Sequence, residues 1–181
     1  FLVDCYVRID AMLNGKPFRL QPMEGCSVFI NQPDHFEIPE DVIVVGMENA
    51  ENFMQIRSQR WLFDALFPGK QLLFVCRYPQ ENLENLRSWL LRISNRYVHF
   101  GDFDLAGVHI YLSEIYAHLG NRSSFLLPSD IEERLAEGNA ALYNQQYAKF
   151  KNMAVTDVRL QPLVNMIHHY RRGYEQEGYI R

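Results

Sequence analysis

Three short apolar runs set the tightest limit on what this chain folds into. Val42-Ile43-Val44-Val45, Leu72-Leu73-Phe74-Val75 and Tyr97-Val98-His99-Phe100 are too brief for helices and show almost no polar alternation. Strands of this kind are buried on both faces, as in parallel sheets whose crossovers are helices. The segments between them have helical spacing. After Asn49, the residues Phe53, Ile56, Trp61, Leu62, Ala65 and Leu66 share a broad face until Pro68-Gly69 stops them. Leu83, Leu86, Leu90 and Ile93 recur at helix spacing before the third run. Val108, Tyr111, Leu112, Ile115 and Leu119 do so after it, with Gly120 as a C′ residue. Ser124 to Leu127 supplies a fourth strand. Strands alternating with helices predict a parallel four-stranded sheet with right-handed crossovers.

The flanks read differently. Phe1, Val3, Cys5, Val7 and Ile9 alternate with more polar neighbours, the period of a half-buried strand. Asn14-Gly15 suits a tight hairpin turn, Phe18 and Leu20 lie on the return strand, and Val28 and Ile30 add a third. Residues 1–40 therefore read as a small β-rich element and residues 41–181 as the main domain. Its C-terminal part is helical: Ser129 and Glu132 form a capping box, Gly138 ends that helix, Tyr143, Tyr147 and Phe150 stripe the next, and Leu163, Met166, Ile167 and Tyr170 the last.

With 181 residues, 48% of them apolar, the chain has enough material for a packed core. It opens on Phe1 without a signal-like leader, which reads as a piece of a longer protein, and no apolar run approaches membrane-spanning length. Cys5, Cys26 and Cys76 form no CxxC pair and no zinc-type spacing, so a reduced, cytoplasmic setting is expected. The formal charge of −4 is unlike that of a free-standing DNA-binding domain. Metal ions and partner domains would have to supply the positive potential that nucleic acid requires.

In an open α/β sheet, ligands bind beyond the carboxyl ends of the strands. Two acidic groups stand there. Glu48 follows the first run in Gly46-Met47-Glu48-Asn49, and Asp102 and Asp104 follow the third in Gly101-Asp102-Phe103-Asp104-Leu105-Ala106-Gly107. Residues i and i+2 of an extended segment point the same way, so both aspartates face one ion while Phe103 points elsewhere. If the first and third strands are neighbours, Glu48 faces them across the crevice. Carboxylates that close repel one another, a hard divalent cation relieves the repulsion, and all-oxygen ligation suits Mg²⁺. The plainer readings are that Asp104 caps the following helix and that Glu48 is a solvated loop residue.

These residues resemble the Toprim domain of topoisomerases, primases and several nucleases. The pattern VIVVGMENAENF … VHFGDFDLAGVHI carries the resemblance, over roughly Asp41 to Leu127. Within that superfamily it is most similar to the Toprim region of the nuclease subunit of the Wadjet plasmid-defence system, and to the A subunit of topoisomerase VI and the meiotic double-strand-break protein. Tyr174-Glu175-Gln176-Glu177 resembles the L-E-Q-E stretch that closes the Wadjet-type domain. The resemblance implies a Rossmann-like Toprim fold in which Glu48, Asp102 and Asp104 form the catalytic, metal-holding trio, Glu48 also serving as general acid/base, and Glu175 or Glu177 is a further acidic residue. It also implies Mg²⁺ (or Mn²⁺) as cofactor, DNA as substrate, other domains or subunits as partners, and a role in anti-plasmid or anti-phage defence. Asn49 stands where many Toprim domains have glycine, and Cys76-Arg77-Tyr78-Pro79 ends the second strand without a glycine-rich turn.

Two other readings stay open: a non-catalytic Toprim-fold interaction module, and topoisomerase-like strand breakage by a tyrosine from another domain. Glu51 reads as a solvated helix residue, and Trp61, Trp89 and the tyrosine stripe as core. His99 reads as a buried, hydrogen-bonded histidine, and His109 as a weak candidate. His168, His169, Arg171 and Arg172 either meet a phosphate backbone or complement a helix dipole.

Overall fold

A computed structural model describes residues 1–76 and 83–181, so the stretch from Arg77 to Pro79 singled out above lies outside the described residues. Among the described residues the strands form two sheets. The larger has six strands: β1 (Leu2–Cys5), β4 (Val28–Phe29), β6 (Ile43–Met47), β7 (Leu72–Cys76), β8 (Tyr97–Phe100) and β9 (Ser123–Phe125). Their order is β4-β1-β7-β6-β8-β9. The run β7-β6-β8-β9 is parallel, whereas β1 is antiparallel to both β7 and β4. The smaller sheet holds β2 (Ile9–Leu13), β3 (Lys16–Leu20) and β5 (Phe36–Glu37), all antiparallel.

The three apolar runs form the middle of the large sheet because each buries both faces. Ile43, Val45, Met47, Leu72, Phe74, Val98 and Phe100 belong to one core, and Val44, Leu73, Val75 and Tyr97 to another. The first core is closed by α1 (Ala50–Met54), α2 (Arg60–Leu66), α4 (Leu105–Ile110), α6 (Ile131–Ala136), α7 (Ala140–Phe150) and α8 (Gln161–Tyr170). The second is closed by α3 (Leu83–Arg92) and the small sheet, through Leu86, Trp89, Leu90, Ile9, Leu20 and Phe36. Trp89 stacks on Phe36 at 5.4 Å and donates from Nε1 to its carbonyl at 2.8 Å, which fastens the small sheet to α3. The chain is thus a mixed α/β protein with a largely parallel sheet flanked by helices.

Several local expectations change in three dimensions. The hairpin forms at Asn14-Gly15, both at positive φ (53° and 70°) as a primed turn requires. The strand read from Phe1 to Ile9 breaks, because Tyr6 packs its ring on Phe74 at 4.6 Å and donates to the Ile56 carbonyl. Residues 1–40 are consequently shared between the two sheets, with β1 and β4 extending the larger one. The helical stretch after Asn49 is interrupted by a 3₁₀ turn at Ile56–Gln59. There the Gln59 amide donates to the carbonyls of Asn52 (2.7 Å) and Gln55 (3.1 Å). The helix after β8 passes through a π-helical segment, Tyr111–Tyr116, before α5 (Ala117–Leu119), and Gly120 follows at φ 54°. The capping box at Ser129 does not form. Asp130 is the N-cap and makes no cap bond, because its carboxylate is taken by Arg134 at 2.7 Å and Tyr179 at 3.2 Å. Among the described residues, no helix is long and apolar enough to cross a membrane.

Candidate active site

From β6 the chain turns to β7 on one side, and from β8 it turns to β9 on the other. The crevice between β6 and β8 is therefore the topological switch point, where open α/β sheets bind ligands. Register places both acidic groups there. Met47 pairs with Phe100, and the Glu48 amide continues the ladder to the Phe100 carbonyl at 2.9 Å. Glu48 and the Gly101-Asp102 segment thus leave adjacent strands side by side.

Each carboxylate is held by a different device. Asp102 accepts from the Gln176 backbone amide at 2.9 Å. That amide is in place because Phe103 and Tyr174 exchange backbone hydrogen bonds of 2.8 and 3.1 Å, which lays the last residues across the crevice. Phe103 is buried in the core between the two aspartates. Asp104 is the N-cap of α4: Oδ1 accepts from the Gly107 amide at 2.8 Å and Oδ2 from Gln146 Nε2 at 2.7 Å. Glu177 accepts through Oε1 from the Asn49 side-chain amide. Its Oε2 is buried and has no hydrogen-bond partner among the described residues. Glu175 is exposed at the start of the same final turn.

Glu48 leans on His99. Its Oε2 is 3.2 Å from His99 Nε2, and His99 Nδ1 is 3.5 Å from the Tyr97 hydroxyl. Gly101 makes this contact possible: a Cβ there would stand 2.3 Å from Glu48 Oε2 and 2.7 Å from His99 Nε2.

The electrostatics follow from that crowding. Burial pushes the Asp102 carboxyl up to about 7, and the charges of Asp104, Glu48 and Glu177 push in the same direction against the Gln176 hydrogen bond. All four carboxylates therefore share one rim of the sheet. Among the described residues, no group of three or more His, Cys, Asp or Glu side chains is set to hold a metal ion as it stands. The donor set nonetheless fits a hard divalent cation. It is entirely oxygen, it includes the unpartnered Glu177 Oε2, and each Asp104 oxygen keeps a second lone pair beside its hydrogen bond.

The sequence model of DUF7281, described as a domain of unknown function, matches residues 6–181. The chain belongs to the DUF7281 family. No curated protein matches it. The matched DUF7281 span contains Glu48, Asp102, Asp104 and Glu177 together.

Three parts of this DUF7281 site were given no role from the sequence. Gln146 clamps Asp104, and its Oε1 also accepts from the Ala106 amide at 3.1 Å, yet nothing in its spacing marks it. The Gln176 amide is a backbone donor and leaves no signature in residue types. Asn49 caps α1 through Oδ1, accepting from the Glu51 amide at 2.7 Å, while its Nδ2 serves Glu177. Its departure from glycine was the available signal.

The remaining candidates have structural surroundings. Glu51 and His109 are exposed, and His109 stacks on Phe150 at 4.9 Å. His168 Nδ1 lies 3.0 Å from the Tyr143 hydroxyl, and Arg172 donates to the Gly138 carbonyl. Trp89 is core, whereas Trp61 is half-buried with Arg181 over its ring at 3.6 Å.

Proposed function

We propose that this DUF7281 domain is a Toprim-type nuclease that hydrolyses DNA phosphodiesters with Mg²⁺. One observation carries the reading: the half-buried Asp102 carboxyl feels three further acidic charges at the β6/β8 switch point. A purely structural cluster has no use for this repulsion, whereas a cation site needs it. Four parallel strands with acidic residues after the first and third of them accord with the Toprim arrangement.

In this reading Asp102 and Asp104 hold the ion, with Glu177 at its flank. The ion, when bound, screens the phosphate and stabilises charge on its oxygens. Glu48 exchanges a proton with the attacking water or with the leaving oxygen. Asn49 aligns Glu177, Gln146 aligns Asp104, and the Gln176 amide aligns Asp102. Water is the preferred nucleophile, as the resemblance to the Wadjet-type domain implies; a tyrosine supplied by another domain is the topoisomerase-like alternative. The net charge of −4 points to partner domains or subunits that bind the DNA backbone, as in a plasmid- or phage-defence complex.

The test is nicking of supercoiled plasmid with and without Mg²⁺. Glu48→Gln and Asp102→Asn should each abolish it while leaving the circular dichroism spectrum unchanged. Cleavage at the wild-type rate by both variants would remove the mechanism. A non-catalytic interaction module is the second reading. It is favoured by Asp104, whose two oxygens already serve Gly107 and Gln146 as a helix cap would. Calorimetry showing no uptake of Mg²⁺ or Mn²⁺ at millimolar concentration would select it.

A further inference from the structure

His99 is 4% exposed, and its ring packs against Tyr111 at 5.7 Å and Phe125 at 5.5 Å. A buried imidazole needs partners for both nitrogens. Here both are polar side chains of the site's own strand pair. Glu48 as a carboxylate only accepts, so His99 Nε2 must carry the hydrogen; Nδ1 then accepts from the Tyr97 hydroxyl. Two glycines on neighbouring strands clear the space. A Cβ at Gly46 would stand 1.7 Å from the Tyr97 hydroxyl oxygen, and one at Gly101 would strike both Glu48 and His99. Burying one satisfied histidine does not require two such openings, whereas lining up three side chains does. Beneath them a cavity of about 30 Å³, the room of a single water, is lined by Glu48, Tyr97, His99 and Glu114 among apolar neighbours.

We propose that His99, held as its Nε2–H tautomer by the acceptor-only Glu48 carboxylate and met on Nδ1 by the Tyr97 hydroxyl, is a positioning residue that pins Glu48 Oε2 and leaves Oε1 to exchange the proton. This rests on Glu48 being the acid/base of the proposed nuclease. His99 itself touches neither substrate nor ion. Its effect is to keep Glu48 in one rotamer, facing the Asp102 side of the crevice.

Two measurements test it. In the metal-free protein with ¹⁵N-labelled histidine, long-range ¹H–¹⁵N spectra should show His99, assigned by its loss in His99→Gln, as the Nε2–H tautomer. Glu48→Gln, whose side-chain amide donates as well as accepts, should turn it into a mixture. An Nδ1–H signal in the wild type, or no change in Glu48→Gln, overturns the proposal. In plasmid nicking, His99→Leu should lower kcat by about 10–100-fold at unchanged KM, the usual effect of losing an outer partner. His99→Gln, which keeps an N–H at the same reach, should recover most of it. Equal rates in wild type and His99→Leu, or equal losses in both variants, overturn the proposal. A wild type that shows the tautomer but cuts no DNA sinks the nuclease reading and leaves the Tyr97–His99–Glu48 alignment standing.

Discussion

Asn49 donates a hydrogen bond from its side-chain amide to the carboxylate of Glu177, 128 residues further along the chain. The same asparagine caps α1 through its side-chain oxygen. One residue therefore both starts the helix after β6 and anchors the last turn of the structure over the crevice. Asn49→Ala removes both functions. Loss of the cap alone costs about 1 kcal/mol, and loss of the charge-assisted bond to Glu177 adds to it. Thermal melting should show a lowered Tm for Asn49→Ala, and Asn49→Asp, which keeps the cap but faces Glu177 with like charge, should not restore it.

The Asp102 carboxyl gives the metal-free protein a definite pH profile. Its pKa is raised from 3.8 to about 7 in the folded state. Between those values the folded chain holds a proton that the unfolded chain has lost, so stability declines as pH rises through this window and stays lowered above it. The contribution is on the order of a few kcal/mol. Urea unfolding at pH 5 and pH 8 should show the protein more stable at pH 5 with respect to this group, and Asp102→Asn should flatten the difference.

A bound cation should reverse that trend. Mg²⁺ competes with the proton on Asp102, and a ligand that binds only the folded state stabilises it by RT ln(1 + [L]/Kd). Millimolar Mg²⁺ should raise Tm more at pH 8 than at pH 5.5, and Asp102→Asn should abolish the increment. A Tm indifferent to Mg²⁺ and Mn²⁺ at both pH values would speak for the interaction module.

Gly101→Ala tests the crowding directly. The added Cβ would meet Glu48 Oε2 at 2.3 Å and His99 Nε2 at 2.7 Å, so the Glu48–His99 contact has to open. Such overpacking costs about 1–3 kcal/mol. Nicking activity should fall to the level of Glu48→Gln while the far-ultraviolet spectrum stays that of the wild type. Activity equal to the wild type would show that Glu48 works without this packing.

The middle of the fold was legible because physics leaves few options there. A strand buried on both faces must be apolar throughout, so β6, β7 and β8 announce themselves, and their carboxyl ends point to Glu48 and Asp102. The edge was harder to read. The break that sends β1 to β7 and leaves β2 to β3 comes where Tyr6 turns into the core beside Phe74, a choice that alternating hydrophobicity does not encode. Glu177 entered only through a family resemblance, since its partner Asn49 is remote in sequence. Gln146 and the Gln176 amide were invisible, because one lies on an ordinary helix face and the other is main chain. His99 was read as a buried, hydrogen-bonded histidine; what the sequence withheld was that its partner is Glu48.

The bridge between Phe103 and Tyr174 also has a consequence for synthesis. A ribosome makes the strands bearing Glu48 and Asp102 long before it reaches Gln176, whose amide grips Asp102. Until that point emerges, the sheet is able to pair while its acidic rim stays open and unaligned. Alignment of the rim therefore waits until Gln176 has been made, and a shorter nascent chain carries Glu48 and Asp102 without the amide that holds Asp102.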